Sequence, residues 1–149
     1  MDRVDRIEEL SEAECFRLLS TVPIGRVVYT EHALLRVLPV PFRVEPDGRL
    51  LLVLVPDGAA ARTLHGTVAA FQADRLDPEQ RSGWSVVVHG RAEVLREPAD
   101  PGGLPRPWVD GPAPLLVRLD AELATGRRLH PEPAHPPEPP APGPQVTDR

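Results

Sequence analysis

Residues 66–95, GTVAAFQADRLDPEQRSGWSVVVHGRAEVL, constrain this chain more than any other stretch. Two long β-favouring runs, 67–76 and 83–95, flank a polar connection containing Asp77, Pro78 and Gly83, residues that suit turns and interrupt strands. The spacing predicts a β-hairpin with a long loop. In the second run the two-residue period puts Trp84, Val86 and Val88 on one face and Ser85, Val87 and His89 on the other. Apolar side chains on both faces imply a strand central to a sheet or barrel. Gly90 then breaks the run, the mark of a bulge, a barrel bend or a close backbone approach to something bound.

The flanking sequence supplies more strands and little helix. Ser11 to Glu14 fits a capping box opening a short helix over 12–20, whose apolar face is Cys15, Phe16, Leu18 and Leu19. Pro23 and Gly25 end it, and strands follow over 26–30, 34–44 and 49–55, with Pro46-Asp47-Gly48 as a hairpin turn. Pro39 and Pro41 lack backbone donors, so this part of the ladder must be an edge, a bulge or a place facing a ligand. Residues 57–66 read as an alanine-rich helix closed by Gly66. Its first turn and Arg62 can cradle a phosphate, or the helix simply caps a barrel. Residues 96–112 read as a long loop carrying Trp108, 115–119 as the last strand, and 125–129 as the close of the folded part. From residue 130 proline dominates and no apolar period remains, which predicts one folded domain over 1–129 and a disordered tail over 130–149. The PxxP spacing at residues 136–139 suits a polyproline ligand, although such composition generates it unaided.

Charge and residue types exclude several functions. All 17 basic residues are arginine, and the net charge of −5 argues against a nucleic-acid backbone as main partner while leaving small anions open. One cysteine excludes an intrachain disulfide, and Cys15 reads as a buried small side chain. With no signal-type h-region and no run of 18 apolar residues, the expectation is a soluble cytoplasmic protein without membrane contact. Asp74, Ser85 and His89 are the residue types of a hydrolytic triad, but Ser85 and His89 stand roughly 13 Å apart along one strand. No histidine spacing suits a metal, and no P-loop is present.

The motifs nevertheless converge on a family. Leu10-Ser11-Glu12 onward, Val22-Pro23-Ile24-Gly25-Arg26, Pro39-Val40 with Phe42, Phe71-Gln72-Ala73-Asp74, Gly83-Trp84-Ser85-Val86-Val87-Val88 and Thr125-Gly126-Arg127-Arg128 together resemble the pyridoxamine 5'-phosphate oxidase-like proteins. The resemblance runs over about 10–129 and implies a mainly β split barrel with short helices, forming a homodimer that holds FMN at its interface. It places the flavin ring against Val40, Pro41 and Phe42, the phosphate near Val55, Gly58 and Arg62, and Trp84 and Ser85 beside the cofactor. The chain departs from the pattern twice, with Pro41 where relatives have Asn and Ala59-Ala60 where they have Ser or Thr followed by Lys. Three readings follow. One is an FMN-dependent oxidoreductase on a small substrate, one a dimeric interaction module without tight flavin binding, and one a relative that binds deazaflavin (F420) or haem.

Overall fold

A computed structural model of the chain describes residues 6–56, 58–96, 104–108, 113–131 and 139–144. Most of the expected elements are present. Helix α1 (Glu12–Leu19) and the short α2 (Gly58–Leu64) accompany strands β1 (Ile7–Glu9), β2 (Ile24–Glu31), β3 (Leu34–Val44), β4 (Leu50–Leu54), β5 (Val68–Asp77), β6 (Ser82–Leu95) and β7 (Leu115–Leu129). The strands form one antiparallel sheet in the order β1-β7-β4-β3-β2-β5-β6, and β6 also pairs with β7, so the sheet closes on itself. The fold is therefore a mainly β barrel.

The predicted hairpin forms, with β5 and β6 paired without a break from Val68↔Arg91 to Asp77↔Ser82. Asp77 Oδ1 accepts the Glu79 and Gln80 N–H groups at 3.0 and 3.1 Å, which fixes the loop that its turn residues foretold. Gly83 has φ +141°, and a Cβ there would collide with the Arg75 carbonyl, so only glycine fits the strand start. Gly90 marks a bulge: His89 faces Leu123 while Gly90 faces Ala121, which leaves Glu122 as an extra residue in β7. A Cβ on Gly90 would strike the Asp120 carbonyl.

The alternation read from β6 holds in three dimensions. Trp84, Val86 and Val88 are buried in the core, whereas Ser85 and Val87 are half-buried and His89 is exposed on the outer face. Leu18 and Leu19 of α1 and Leu64 of α2 enter the same core cluster as the strand residues. Helix α1 packs beside Gly126 and Val86, while α2 leads into Gly66, whose N–H donates to the Ala92 carbonyl near the other end of β6. The two helices thus fill the barrel from opposite ends.

Three expectations need correction. The segments 115–119 and 125–129 belong to one strand, β7, because the bulge at Glu122 disturbs the alternation between them without ending the pairing. Strand β1 was not foreseen; its three residues are all exposed and carry no apolar period. The capping box is half made: Ser11 Oγ accepts the Glu14 N–H at 3.2 Å, but the Glu14 carboxylate lies 4.0 Å from Arg128. Much of the predicted loop 96–112 and of the proline tail, including residues 136–138, lies outside the described residues. The described tail residues 139–144 are exposed and without regular structure.

The two prolines of β3 have a clear account. Phe42 N–H donates to the Pro23 carbonyl, so alternate residues of β3 donate toward β2, and positions 39 and 41 face the other side. On that side β4 pairs only with Phe42–Val44. The missing donors therefore fall on an open margin, as expected for prolines in a sheet.

Cys15 is fully buried, and burial, reinforced by the negative charges of Glu12 and Glu14, raises its thiol above the ordinary range. Native protein is expected to resist iodoacetamide that labels the unfolded chain. The raised value favours the fold below the ordinary thiol pKa; above it the unfolded thiol ionises first and stability falls as pH rises. Denaturation midpoints at neutral and alkaline pH, compared with Cys15→Ala, measure this slope.

Candidate functional site

The register of the hairpin brings sequence-distant polar groups together on the outer face. Asp74 lies opposite Ser85 and Gln72 opposite Val87, and β2 adds Arg26 opposite Gln72. Their inward neighbours Phe71, Ala73, Trp84 and Val86 are all buried, so these polar side chains share the outer side. The Gln72 amide donates to Asp74 Oδ2 at 2.7 Å and to Ser85 Oγ at 3.3 Å. Arg26 donates to Gln72 Oε1 at 3.1 Å and sits 3.7 Å from the Asp74 carboxylate. Each member is held by another, which orients Ser85 without making it a nucleophile. His89 lies four residues further along the strand and takes no part, as its spacing required.

Beside this network lies a hollow of about 510 Å³, lined by Ser85, Val87, Thr125, Arg127 and Glu9 among others. Arg127 stands opposite Ser85 across β6 and β7 and makes no ion pair among the described residues. A second hollow, of about 390 Å³, lies at α2, where Arg62, His65, Val94 and Arg96 meet. Arg62 is exposed, and the Thr63 hydroxyl donates to the Ala59 carbonyl at 2.8 Å within the helix. A third, of about 500 Å³, separates Phe42 and Val44 from the α1–β2 connection and Pro105. Among the described residues no cluster of histidine, cysteine or carboxylates could hold a metal, and no helix is long and apolar enough to cross a membrane.

The residues expected from sequence divide among these places. Val40 and Phe42 turn their side chains into the core, where Phe42 packs on Phe71 with ring centroids 4.6 Å apart, and Pro41 is buried beside them. Only their backbone is left to meet a ligand. Val55 is 47% exposed at the end of β4, just before α2. Trp84 is a core residue, and Ser85 alone of that pair reaches the outer face. Val94, beside Arg62, and Ser85 belong to the same strand, and that stretch spans roughly 30 Å at about 3.3 Å per residue. Arg62 and Ser85 of one chain therefore cannot line one small site. Sequence reasoning missed Arg26, Gln72, Thr125 and Arg127, which only strand register assembles.

A flavin would need an anion site and a flat wall. The chain offers Arg62 as a cation, Val55 and the extended backbone at 40–42 as wall, and neither hydroxyl nor lysine at Ala59-Ala60. The residues fit a flavin phosphate through one charge.

The comparisons agree with this architecture. The family model described as pyridoxamine 5'-phosphate oxidase matches residues 11–128. The chain belongs to that family. It is 37% identical over 131 residues to the uncharacterized protein Rv0080 of Mycobacterium tuberculosis, covering 83% of this chain and 86% of that one. Among solved structures it is similar to the FAD binding protein of Mycobacterium smegmatis, with 28% identity, a TM-score of 0.65 and coverage of 83% of this chain and 99% of that chain. The FAD and heme binding protein of the same organism, at 19% identity and TM-score 0.65 over 87% of this chain and 77% of that one, shares the fold. The barrel is thus of the split-barrel kind found in flavin-binding proteins.

Proposed function

We propose that two copies of this chain hold FMN between them and that the pair is a flavin-dependent oxidoreductase acting on a small substrate. The observation that carries this reading is the division of the site residues between distant positions in one subunit. A twofold pairing brings Arg62 of one copy toward Ser85, Thr125 and Arg127 of the other, and an isologous contact does so twice. The outer face supplies the contact. Val37, Val28, Ala70, His89 and Leu123 form one lateral row across β3, β2, β5, β6 and β7. Val37 and Leu123 are 57% and 55% exposed, and Leu35 and Val68 at 74% and 59% extend the apolar area. Surfaces of this kind mark contact with another molecule.

When bound, the flavin supplies the redox chemistry. This chain's residues neutralise its phosphate through Arg62, wall its ring with Val55 and the backbone of residues 40–42, and exclude water through the second subunit. The family match and the FAD binding protein of M. smegmatis support the flavin class.

The test is the colour of the purified protein and a titration with FMN, with FAD, deazaflavin and haem offered alongside. Yellow protein whose FMN affinity falls about tenfold or more in Arg62→Ala supports the proposal, since a charge-assisted phosphate contact contributes roughly 1.5–3 kcal/mol. Tight binding of haem or deazaflavin in place of FMN reassigns the cofactor. The absent lysine at Ala60 and the proline at position 41 favour a second reading, a dimeric interaction module, and colourless protein that ignores all four ligands yet remains a dimer establishes it.

A further inference from the structure

Apart from the flavin residues, β6, β7 and the start of β4 enclose a cavity of about 350 Å³ on the outer side of the sheet. Arg49, Arg91 and Arg118 line it together with His65, Glu93 and Asp120. Register explains the gathering: Arg91 lies opposite Asp120 and Glu93 opposite Arg118, two adjacent rows on one face.

The charges there are unequally satisfied. Arg49 is paired with Asp47 at 3.4 Å and with Asp120 at 3.7 Å. Arg91 donates one N–H to the Gly66 carbonyl at 2.7 Å, which fixes its guanidinium and leaves its other donors. Arg118 is half-buried and its guanidinium makes no hydrogen bond or ion pair among the described residues, although Glu93 stands directly across the ladder from it. His65 Nδ1 accepts the Val94 N–H at 3.1 Å, so Nε2 is the nitrogen left to donate. The neighbouring hollow at Arg62 and Arg96 shares His65, so five arginines face this region against the carboxylates of Asp47, Glu93 and Asp120. In a chain of net charge −5 that local excess selects an anion over a cation.

We infer that this cavity is an oxyanion-binding site, taking the phosphate or carboxylate group of a small molecule on the forks of Arg118 and Arg91 with His65 as a third donor. A guanidinium matches two oxygens of either group at once. Glu93 is the competing neighbour: it lowers affinity by repelling the anion.

The test is a titration of the full-length protein with inorganic phosphate, and separately with succinate, at constant ionic strength. Backbone amide resonances of Gly66, Ala92 and Leu119 report the site, and those of Ala59–Arg62 report the flavin region. The expected result is saturable shifts at Gly66, Ala92 and Leu119. Arg118→Gln weakens binding about tenfold, and Glu93→Gln tightens it. The stronger of the two anions identifies the ligand class. Flavin affinity is unchanged in Arg118→Gln, so failure here and failure of the flavin reading are separate results. Shifts that never saturate, or equal affinity in the parent and both variants, overturn the inference.

Discussion

Phe71→Ala is expected to cost about 3–5 kcal/mol, which for a domain of ordinary stability removes a third or more of the margin. Phe71 is fully buried on β5, and its ring lies over Gly25 of β2, where a Cβ would overlap the ring atoms. On its other side it meets Phe42 at a tilt of 57°. One aromatic thus fills the space left by a glycine and joins β2, β3 and β5. Truncation empties all three contacts at once, and neighbouring strands paired on both sides cannot collapse inward. Gly25→Ala tests the same fit from the opposite direction by forcing the ring aside. Urea denaturation of the variants measures both; a loss below about 1 kcal/mol for Phe71→Ala would mean that the barrel interior is far less tightly packed than described.

The second large effect concerns assembly. Val37→Asp, combined with Leu123→Asp, places two carboxylates in the apolar row on the outer face. If two copies meet there, symmetry doubles the number of charges brought into the contact, each costing several kcal/mol unless paired. The expected outcome is a folded monomer by sedimentation that has lost FMN binding along with its partner, while near-ultraviolet dichroism of the core is retained. A variant that stays dimeric would move the interface elsewhere, and a monomer that still binds FMN tightly would show that one subunit holds a whole site.

Much of the barrel could be read directly from residue order. The hairpin announced itself because Asp77, Pro78 and Gly83 punctuate two runs of regular alternation, whereas Gly90 marked a bulge, a bend or a close approach alike, and the register with β7 shows the bulge. Strand β7 was harder, since Ala121 and Ala124 both lean on the core around an extra Glu122 and the two-residue period fails between them. Gly25 looked like a helix terminator, and its role beneath Phe71 depends on a contact between strands far apart in the chain. The candidate site was the least legible part. Arg62 was read from the open start of a short helix and Ser85 from motif likeness, but Arg26, Gln72, Asp74 and Ser85 become one network only when β2, β5 and β6 are aligned. Arg118 and Arg91, separated by a long connection, carried no local signal.

The prolines on the margin of β3 bear on what crowded copies of this chain can do. A foreign strand approaching that rim would seek a row of amide hydrogens and find a gap at the exposed Pro39, with Pro41 buried behind it. Zippering rim to rim is thereby discouraged, and growth into fibres loses its template. The pairing proposed for the outer face is of the other kind, one that ends once two molecules have met.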